Sequence, residues 1–301
     1  MKSNRYSRQT ILSEIGDKGQ EMLLQGGVSV IGLGALGSVS SSLLACAGVG
    51  NLLLVDRDVV ELNNLQRQIL YTEKDIGEAK AAIAERRLKE LNSEITVKGL
   101  AVHLSQQNIE RFLRGVDVVV DGTDNMETRF LLNDFCVKND IPFIYGGAIA
   151  TYGMTLTVLP KRGPCLRCLF QQTPVPGTLP TCDTFGILNS TPAIIASIQA
   201  TETMKILMNV GPRRTVLIYD PWHNEQQEIR LDRRRDCICC VKEEYDFLEA
   251  KRRDIFIALC GRNVCSLTPP KGVEISFEEL EKRLAKIGRT RRGIATLSLA
   301  V

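Results

Sequence analysis

Residues 27–56, GVSVIGLGALGSVSSSLLACAGVGNLLLVD, restrict the fold more than any other stretch of the chain. The run 28–32 is short, apolar or small, and suits a buried strand. It leads directly into Gly32-Leu33-Gly34-Ala35-Leu36-Gly37, then a helical stretch 38–47, then a second apolar strand 51–55 that ends at Asp56. Strand, glycine turn, helix and acidic-ended strand form the pattern of a nucleotide-binding βαβ unit. Gly32 permits the tight turn, Gly34 lets a phosphate approach the backbone, and Gly37 lets helix and strand pack closely. The first helical turn offers unpaired N–H groups and a positive dipole end to an anion. Asp56 falls where a carboxylate accepts hydrogen bonds from a ribose. The loop by itself fits a dinucleotide cofactor as well as ATP.

The same stretch belongs to an uncharged run, 22–55, long enough to raise a membrane span. Five glycines and five serines between 28 and 55 break that run into separate elements, so it reads as a soluble core. The first ten residues, MKSNRYSRQT, lack the apolar centre of a signal peptide, and a cytoplasmic protein is expected. A net charge of +3 gives no reason to expect a nucleic-acid or membrane partner. Ten cysteines without an export signal point to metal or reactive thiols rather than disulfides.

Residues 5–25 read as an amphipathic lead-in helix or helix pair behind Arg5 and Arg8, which by themselves look like a solvated basic end. Beyond Asp56, Asn63-Asn64-Leu65-Gln66-Arg67-Gln68 leaves a strand end where such sheets bind ligands. Gly77 precedes a strong helix, 78–91, with Lys80 in its first turn. A lysine there opposes the helix dipole and calls for compensation, although an isolated lysine on a polar helix is usually a surface residue. Residues 94–100 read as a strand and 105–111 as a short helix. The apolar strand 116–120 ends in Asp121-Gly122-Thr123-Asp124-Asn125, where hard oxygen ligands suit Mg²⁺. Asp124 also has the character of an N-cap for a helix over 126–138. Strands at 141–144 and 155–159, joined through YGGAIATYGM, complete a doubly wound α/β sheet.

Cys165-Leu166-Arg167-Cys168 and Cys237-Ile238-Cys239-Cys240 supply two CxxC spacings, which fit a closed tetrahedral zinc site made of Cys165, Cys168, Cys237 and Cys240, with Cys239 spare. A redox dithiol at either pair is the competing reading. The proline-rich 170–180 reads as a mobile loop. Cys182 follows it at the approach to a long helix, about 191–208, where a thiol can act as a nucleophile or stay a buried spectator. Cys46 and Cys136 fall on apolar helix faces and are expected in the core. His103 and His223 have no partner motif. Residues 215–220 and 226–231 form an expected antiparallel pair. The remaining 246–301 read as a small α+β appendage of two short strands, a capped helix 276–287 and a final strand, ending as an incomplete domain would; 1–245 is the expected main domain.

Taken together, the chain resembles the ThiF/MoeB/HesA family of ubiquitin-activating-enzyme-like sulfur-carrier adenylyltransferases over residues 5 to about 242. The matching motifs are RYSRQ at 5–9, GLGALG at 32–37, Asp56, NLQRQ at 64–68, Lys80, TDN at 123–125 and the paired CxxC. The resemblance implies a Rossmann-like, mostly parallel sheet with an antiparallel extension. It also implies ATP-dependent adenylylation of the C-terminal Gly-Gly carboxylate of a small ubiquitin-fold sulfur carrier, in thiamine, molybdopterin or related sulfur transfer. In that scheme Gly32, Gly34, Ala35, Gly37, Asp56, Asn64, Arg67, Gln68, Lys80, Asp124 and Asn125 bind ATP, and Asp56 takes the ribose. Arg67 and Lys80 clamp phosphates, and Asp124 holds Mg²⁺. Arg8 reaches a second subunit's site, which implies a homodimer, and Cys182 matches a thiol that joins the carrier covalently in some members. Ala35 departs from a glycine common in the family. The absence of a rhodanese domain implies a separate sulfur donor. A nicotinamide dehydrogenase would leave NLQRQ, TDN and the cysteine pairs unexplained. A non-catalytic scaffold would have no use for Arg67, Lys80 and Asp124 around one pocket.

Overall fold

The protein is described here by a computed structural model covering residues 4–171, 182–249, 256–258, 265–267, 276–292 and 297–300. The chain divides into two compact units, Met1–Ala250 and Lys251–Val301. In the first, two short helical pieces lead in, α1 (Ser7–Thr10) and α2 (Gly16–Gln25), followed by β1 (Gly27–Ile31), α3 (Ala35–Ala47) and β2 (Asn51–Val55). Next come α4 (Lys80–Leu91), β3 (Thr96–Leu100), α5 (Ile109–Leu113), β4 (Val118–Asp121) and α6 (Met126–Lys138). Then follow β5 (Phe143–Ile149), β6 (Tyr152–Val158), α7 (Leu166–Leu169), α8 (Cys182–Phe185), α9 (Ser190–Leu207), β7 (Thr215–Asp220), β8 (Glu225–Arg230) and α10 (Asp246–Glu249).

One eight-stranded sheet runs β3-β2-β1-β4-β5-β6-β7-β8. Its first five strands are parallel and β5 to β8 are joined antiparallel. The expected Rossmann-like sheet with an antiparallel extension is therefore what forms. Side-chain alternation assigns the faces. Val118 and Val120 pack with Leu44, Ala84 and Ala200 of α3, α4 and α9, whereas Val119 packs with Leu113, Phe130 and Phe135 of α5 and α6. Register fixes the working edge: Ile31 pairs with Val55 on one side and Asp121 on the other. Gly32, Asp56 and Gly122 therefore leave the sheet side by side at its carboxyl edge, where open α/β sheets bind ligands.

Several local details differ from expectation. Gly146 and Gly147 lie inside β5 rather than in a bend, and the β5–β6 turn falls at Ala150, whose φ is +50°. Cys136 is buried as expected, but Cys46 is exposed on α3 because the buried stripe of that helix runs through Leu36, Val39, Leu44 and Ala45. Most of the 170–180 loop lies outside the described residues. In the second unit, β9 (Phe256–Ala258) pairs antiparallel with β10 (Cys265–Leu267). There, Ser276 caps α11 (Phe277–Leu284) by accepting from Glu279 N, and β11 (Arg289–Arg292) pairs with β12 (Leu297–Ala300). No helix among the described residues is long and apolar enough to cross a membrane.

Candidate active site

The glycine turn is packed from beneath and open above. Gly32 has φ +84°, and a Cβ there would lie 2.6 Å from the Gly122 carbonyl; one on Gly37 would lie 1.8 Å from the Gly32 oxygen. These two glycines are required by contact with the end of β4 and within the turn. A Cβ on Gly34 would meet nothing nearer than Gln68 Nε2 at 3.7 Å, so this position is spare space, which suits a ligand. The first hydrogen bond of α3 runs from Ser38 N to Gly34 O at 3.0 Å. The N–H groups of Ala35, Leu36 and Gly37 find no acceptor among the described residues and face an anion position.

Asp56 is tied into the turn. Its Oδ2 accepts from Leu33 N at 2.6 Å and its Oδ1 from Asp58 N at 2.7 Å, leaving each oxygen capacity for one more donor. Burial lifts the carboxyl above its usual range, with Lys80 pulling against that. Tyr71 donates to Leu33 O at 2.9 Å and closes the back of the turn.

Lys80 corrects the surface-lysine reading: it is only 4% exposed. Its N–H donates to Asp58 O at 3.0 Å, and its ammonium lies 3.7 Å from Asp58 Oδ2. The compensation required at this helix start therefore comes first from Asp58, with Asp56 near enough to feel the charge. Asn64 and Gln68 are likewise buried, each 4% exposed. Among the described residues Asn64 Oδ1 and Gln68 Oε1 have no hydrogen-bond partner, an arrangement that costs free energy unless a donor reaches them. Arg67 donates to Asn63 O at 2.8 Å and is otherwise half-buried.

At the end of β4 the two aspartates separate in role. Asp121 is wholly buried; its Oδ1 accepts from Thr123 N and Oγ1 at 2.8 and 2.7 Å, and its Oδ2 accepts from Arg129 Nε at 3.1 Å. Burial lifts its pKa while Arg129 opposes the shift. With its oxygens so engaged it is a structural carboxylate, not the metal ligand its position alone allowed. Asp124 is exposed and makes no hydrogen bond or ion pair among the described residues. It does not cap α6; the cap is Asn125, whose Oδ1 accepts from Thr128 N at 2.9 Å. That corrects the N-cap reading and commits the Asn125 carbonyl oxygen to the helix rather than to a ligand.

Arg129 was not foreseen. Besides Asp121 it donates to Thr123 O at 2.6 Å and Gly146 O at 3.1 Å and lies over the Tyr145 ring, clamping the loop that presents Asp124. Gln199 of α9 joins the same strand ends, donating to Asp121 O at 2.8 Å and Ile144 O at 3.1 Å. The only sequence hint for Arg129 was its place one turn into the helix after TDN.

The two N-terminal arginines also differ. Arg5 donates to Leu91 O and pairs with Glu94. Arg8 is exposed, with no hydrogen bond or ion pair among the described residues. Gln9 pins α1 by donating to Gln20 Oε1 at 2.7 Å and Ala47 O at 2.9 Å, so the Arg8 backbone is fixed. Cys182 opens α8 directly after residues 172–181, which are outside those described, as are its side-chain surroundings. His103 Nδ1 accepts from Arg57 Nη1 at 3.1 Å, and His223 pairs with Asp220 at 3.0 Å, so both histidines have local partners.

A separate centre joins distant segments. The four sulfurs of Cys165, Cys168, Cys237 and Cys240 all lie within 4.8 Å of one another and are buried. Cys165 and Cys237 sulfurs are 3.6 Å apart, Cys168 and Cys240 sulfurs 3.5 Å. A tetrahedral zinc with bonds of about 2.3 Å requires sulfur separations of about 3.8 Å, so the group fits such an ion. Cys239 stands aside and is contacted by Asn133 Nδ2 at 3.2 Å. Asn133 Oδ1 accepts from Leu166 N at 2.8 Å, tying α6 to the first cysteine pair. Arg167, sandwiched between Phe130 and Phe247 and beside Asp134 and Asp246, fastens α10 over α6.

An open glycine turn, an aspartate tied into it at the next strand end and a four-cysteine cluster on one doubly wound sheet form the architecture of a nucleotide-binding α/β protein. The family model described as the ThiF family matches residues 6–241, and the chain belongs to that family. A sulfur carrier protein ThiS adenylyltransferase of Bacillus subtilis (strain 168) is 39% identical over 290 residues, 95% of this chain and 86% of that relative. A SAMP-activating enzyme E1 of Haloferax volcanii is 40% identical over 248 residues, 82% of this chain and 92% of its own length. Among solved structures, E. coli MccB with ATP superposes with TM-score 0.69 at 22% identity, over 79% of this chain and 74% of that one; it shows the shared fold.

Proposed function

We propose that this protein adenylylates the C-terminal Gly-Gly carboxylate of a small ubiquitin-fold sulfur-carrier protein with ATP. The supporting observation is the open cradle at the β1–α3 turn, where helical N–H groups without an acceptor among the described residues, the space beside Gly34 and buried Lys80 lie at the sheet edge that also presents exposed Asp124. In the proposed step a carboxylate oxygen of the carrier attacks the α-phosphorus of ATP. The bond from that phosphorus to the bridging oxygen breaks, pyrophosphate leaves with the electron pair, and the carrier becomes an acyl-adenylate. Attacker and target are both anionic, so bringing them together requires fixed positive charge and orientation. The α3 N–H groups and Lys80 take phosphate oxygens, Arg67, Asn64 and Gln68 hold the triphosphate, and Asp56 takes the ribose hydroxyls. Arg8 serves a neighbouring subunit's site in a homodimer. Asp124 would hold Mg²⁺, which neutralises phosphate charge when bound. The four cysteines hold structural zinc, leaving no open position for chemistry. Adenylation so written uses no thiol, so Cys182→Ser retains it, and onward sulfur transfer draws on a separate donor.

The test is intact-mass analysis of a Gly-Gly-ending carrier incubated with the metal-loaded protein and Mg-ATP. The carrier is expected to gain the mass of one adenylyl group, AMP less one water, and a carrier without its last glycine to gain none. ATP binding without any such gain would replace this reading with that of a scaffold.

A further inference from the structure

The edge of the sheet opposite the glycine turn holds a second concentration of charge. Val158, the last residue of β6, pairs with Phe143, the first of β5. Thr215 at the start of β7 pairs with Arg230 at the end of β8. Loops leaving these positions enclose a groove of about 500 Å³ lined by Lys161, Arg162, Arg214, Arg230 and Arg233 against one carboxylate, Asp232. For a chain whose net charge is only +3, this is an uneven placement. Lys161 is balanced by Asp140 at 2.9 Å and Arg230 by Asp232 at 3.5 Å. The side chains of Arg162, Arg214 and Arg233 make no hydrogen bond or ion pair among the described residues, so three permanently charged guanidinium groups line the groove unpaired.

The scaffold under them is fixed. Lys161 adopts φ +62° in a turn closed by Arg162 N donating to Pro160 O at 2.8 Å. The neighbour of Arg214 is anchored as well: Arg213 N donates to Glu202 Oε2 at 2.6 Å, and its side chain pairs with Glu228. Three chain segments thus bring these cations to one concavity, two of them anchored as described, and its size suits a small ligand. No aromatic side chain lines it, which removes the stacking platform a single-stranded nucleic acid would use.

We propose that this groove is a second anion site, separate from the ATP cradle, which binds a small polyanion carrying clustered phosphate or carboxylate groups. Arginine forks bind either group bidentately, and such a ligand relieves the repulsion among the three unpaired side chains. The test is calorimetric titration of the zinc-loaded full chain with tripolyphosphate or with citrate, in a Lys80→Met background that disables the cradle. One equivalent of at least one probe is expected to bind, and the probe that binds better identifies phosphate or carboxylate as the preferred group. Adding Arg162→Gln, Arg214→Gln and Arg233→Gln is expected to weaken that binding about tenfold or more. All three side chains are free of internal partners, so melting temperature and zinc content should stay unchanged. The single Arg214→Gln variant should show a smaller loss in the same direction. Absence of binding by either probe in the Lys80→Met protein, or binding indifferent to the three arginines, would overturn the proposal.

Discussion

At the carboxyl edge of the sheet, charged and polar side chains are held by one or two bonds each and keep capacity in reserve. Asp56 spends two acceptor positions on backbone N–H groups, and among the described residues Asn64 and Gln68 leave an oxygen unused and Asp124 makes no hydrogen bond or ion pair. Around Cys165 four buried sulfurs face one another, and Asn133, Arg167 and α10 close the surroundings, with Arg167 held by two rings and two carboxylates although its Nε and Nη1 find no hydrogen-bond acceptor among the described residues. The first region is arranged to receive and release something, the second to hold two segments permanently. The contrast teaches that open space beside unspent acceptors, as at Gly34, rather than the count of polar residues, separates the turn from the closed cysteine centre in this fold.

Metal removal should break the comparison most severely. Cys165→Ser is expected to lower zinc from one per chain to none by elemental analysis. Structural zinc centres of this kind contribute on the order of 10 kcal/mol, so the cooperative thermal transition should be lost or strongly lowered. Next in size is Arg129→Ala, which leaves Asp121 buried without its cation and is expected to cost about 3–5 kcal/mol by denaturant titration. Lys80→Ala removes the cation beside Asp58 and buried Asp56, so it should lower stability somewhat as well as lower the catalysed rate about 10²–10³-fold. A smaller pair sharpens the division within the glycine turn itself. Gly37→Ala forces a methyl against the Gly32 carbonyl and should destabilise by about 1–3 kcal/mol. Gly34→Ala meets no protein atom within ordinary contact closer than Gln68, so it should spare stability and weaken nucleotide binding.

A further effect concerns pH. Burial, then the Arg57 charge, pushes His103 down to about 4. A histidine whose folded pKa lies below its unfolded value near 6.5 favours the fold only while neutral. Its contribution is therefore complete above about pH 6.5 and is lost as pH falls toward 4. Melting temperature should fall over that window in the native chain, and less steeply in His103→Gln.

The glycine turn and the CxxC spacings were legible because their signals are local: both depend on residue types a few positions apart. The alternation of apolar strands and amphipathic helices carried the sheet for the same reason. What the sequence hid depends on residues remote in the chain. Lys80 looked like any lysine on a polar helix until Asp58 and the loop above it buried the ammonium. Arg129 gains its meaning from Asp121, Thr123 and Gly146, which only strand pairing brings together. Asp124 and Asn125 are both good capping types, and only backbone geometry selects Asn125. Cys46 misled because an apolar helix can still present one small thiol to solvent.

Exchange of labelled pyrophosphate into ATP tests the central claim most directly, since it reports reversible formation of an acyl-adenylate. With zinc-loaded protein, Mg²⁺ and a Gly-Gly-ending ubiquitin-fold carrier, exchange is expected, dependent on the carrier's terminal carboxylate and absent in Asp124→Ala. Exchange that proceeds equally without the carrier, or survives intact in Asp124→Ala, would contradict it.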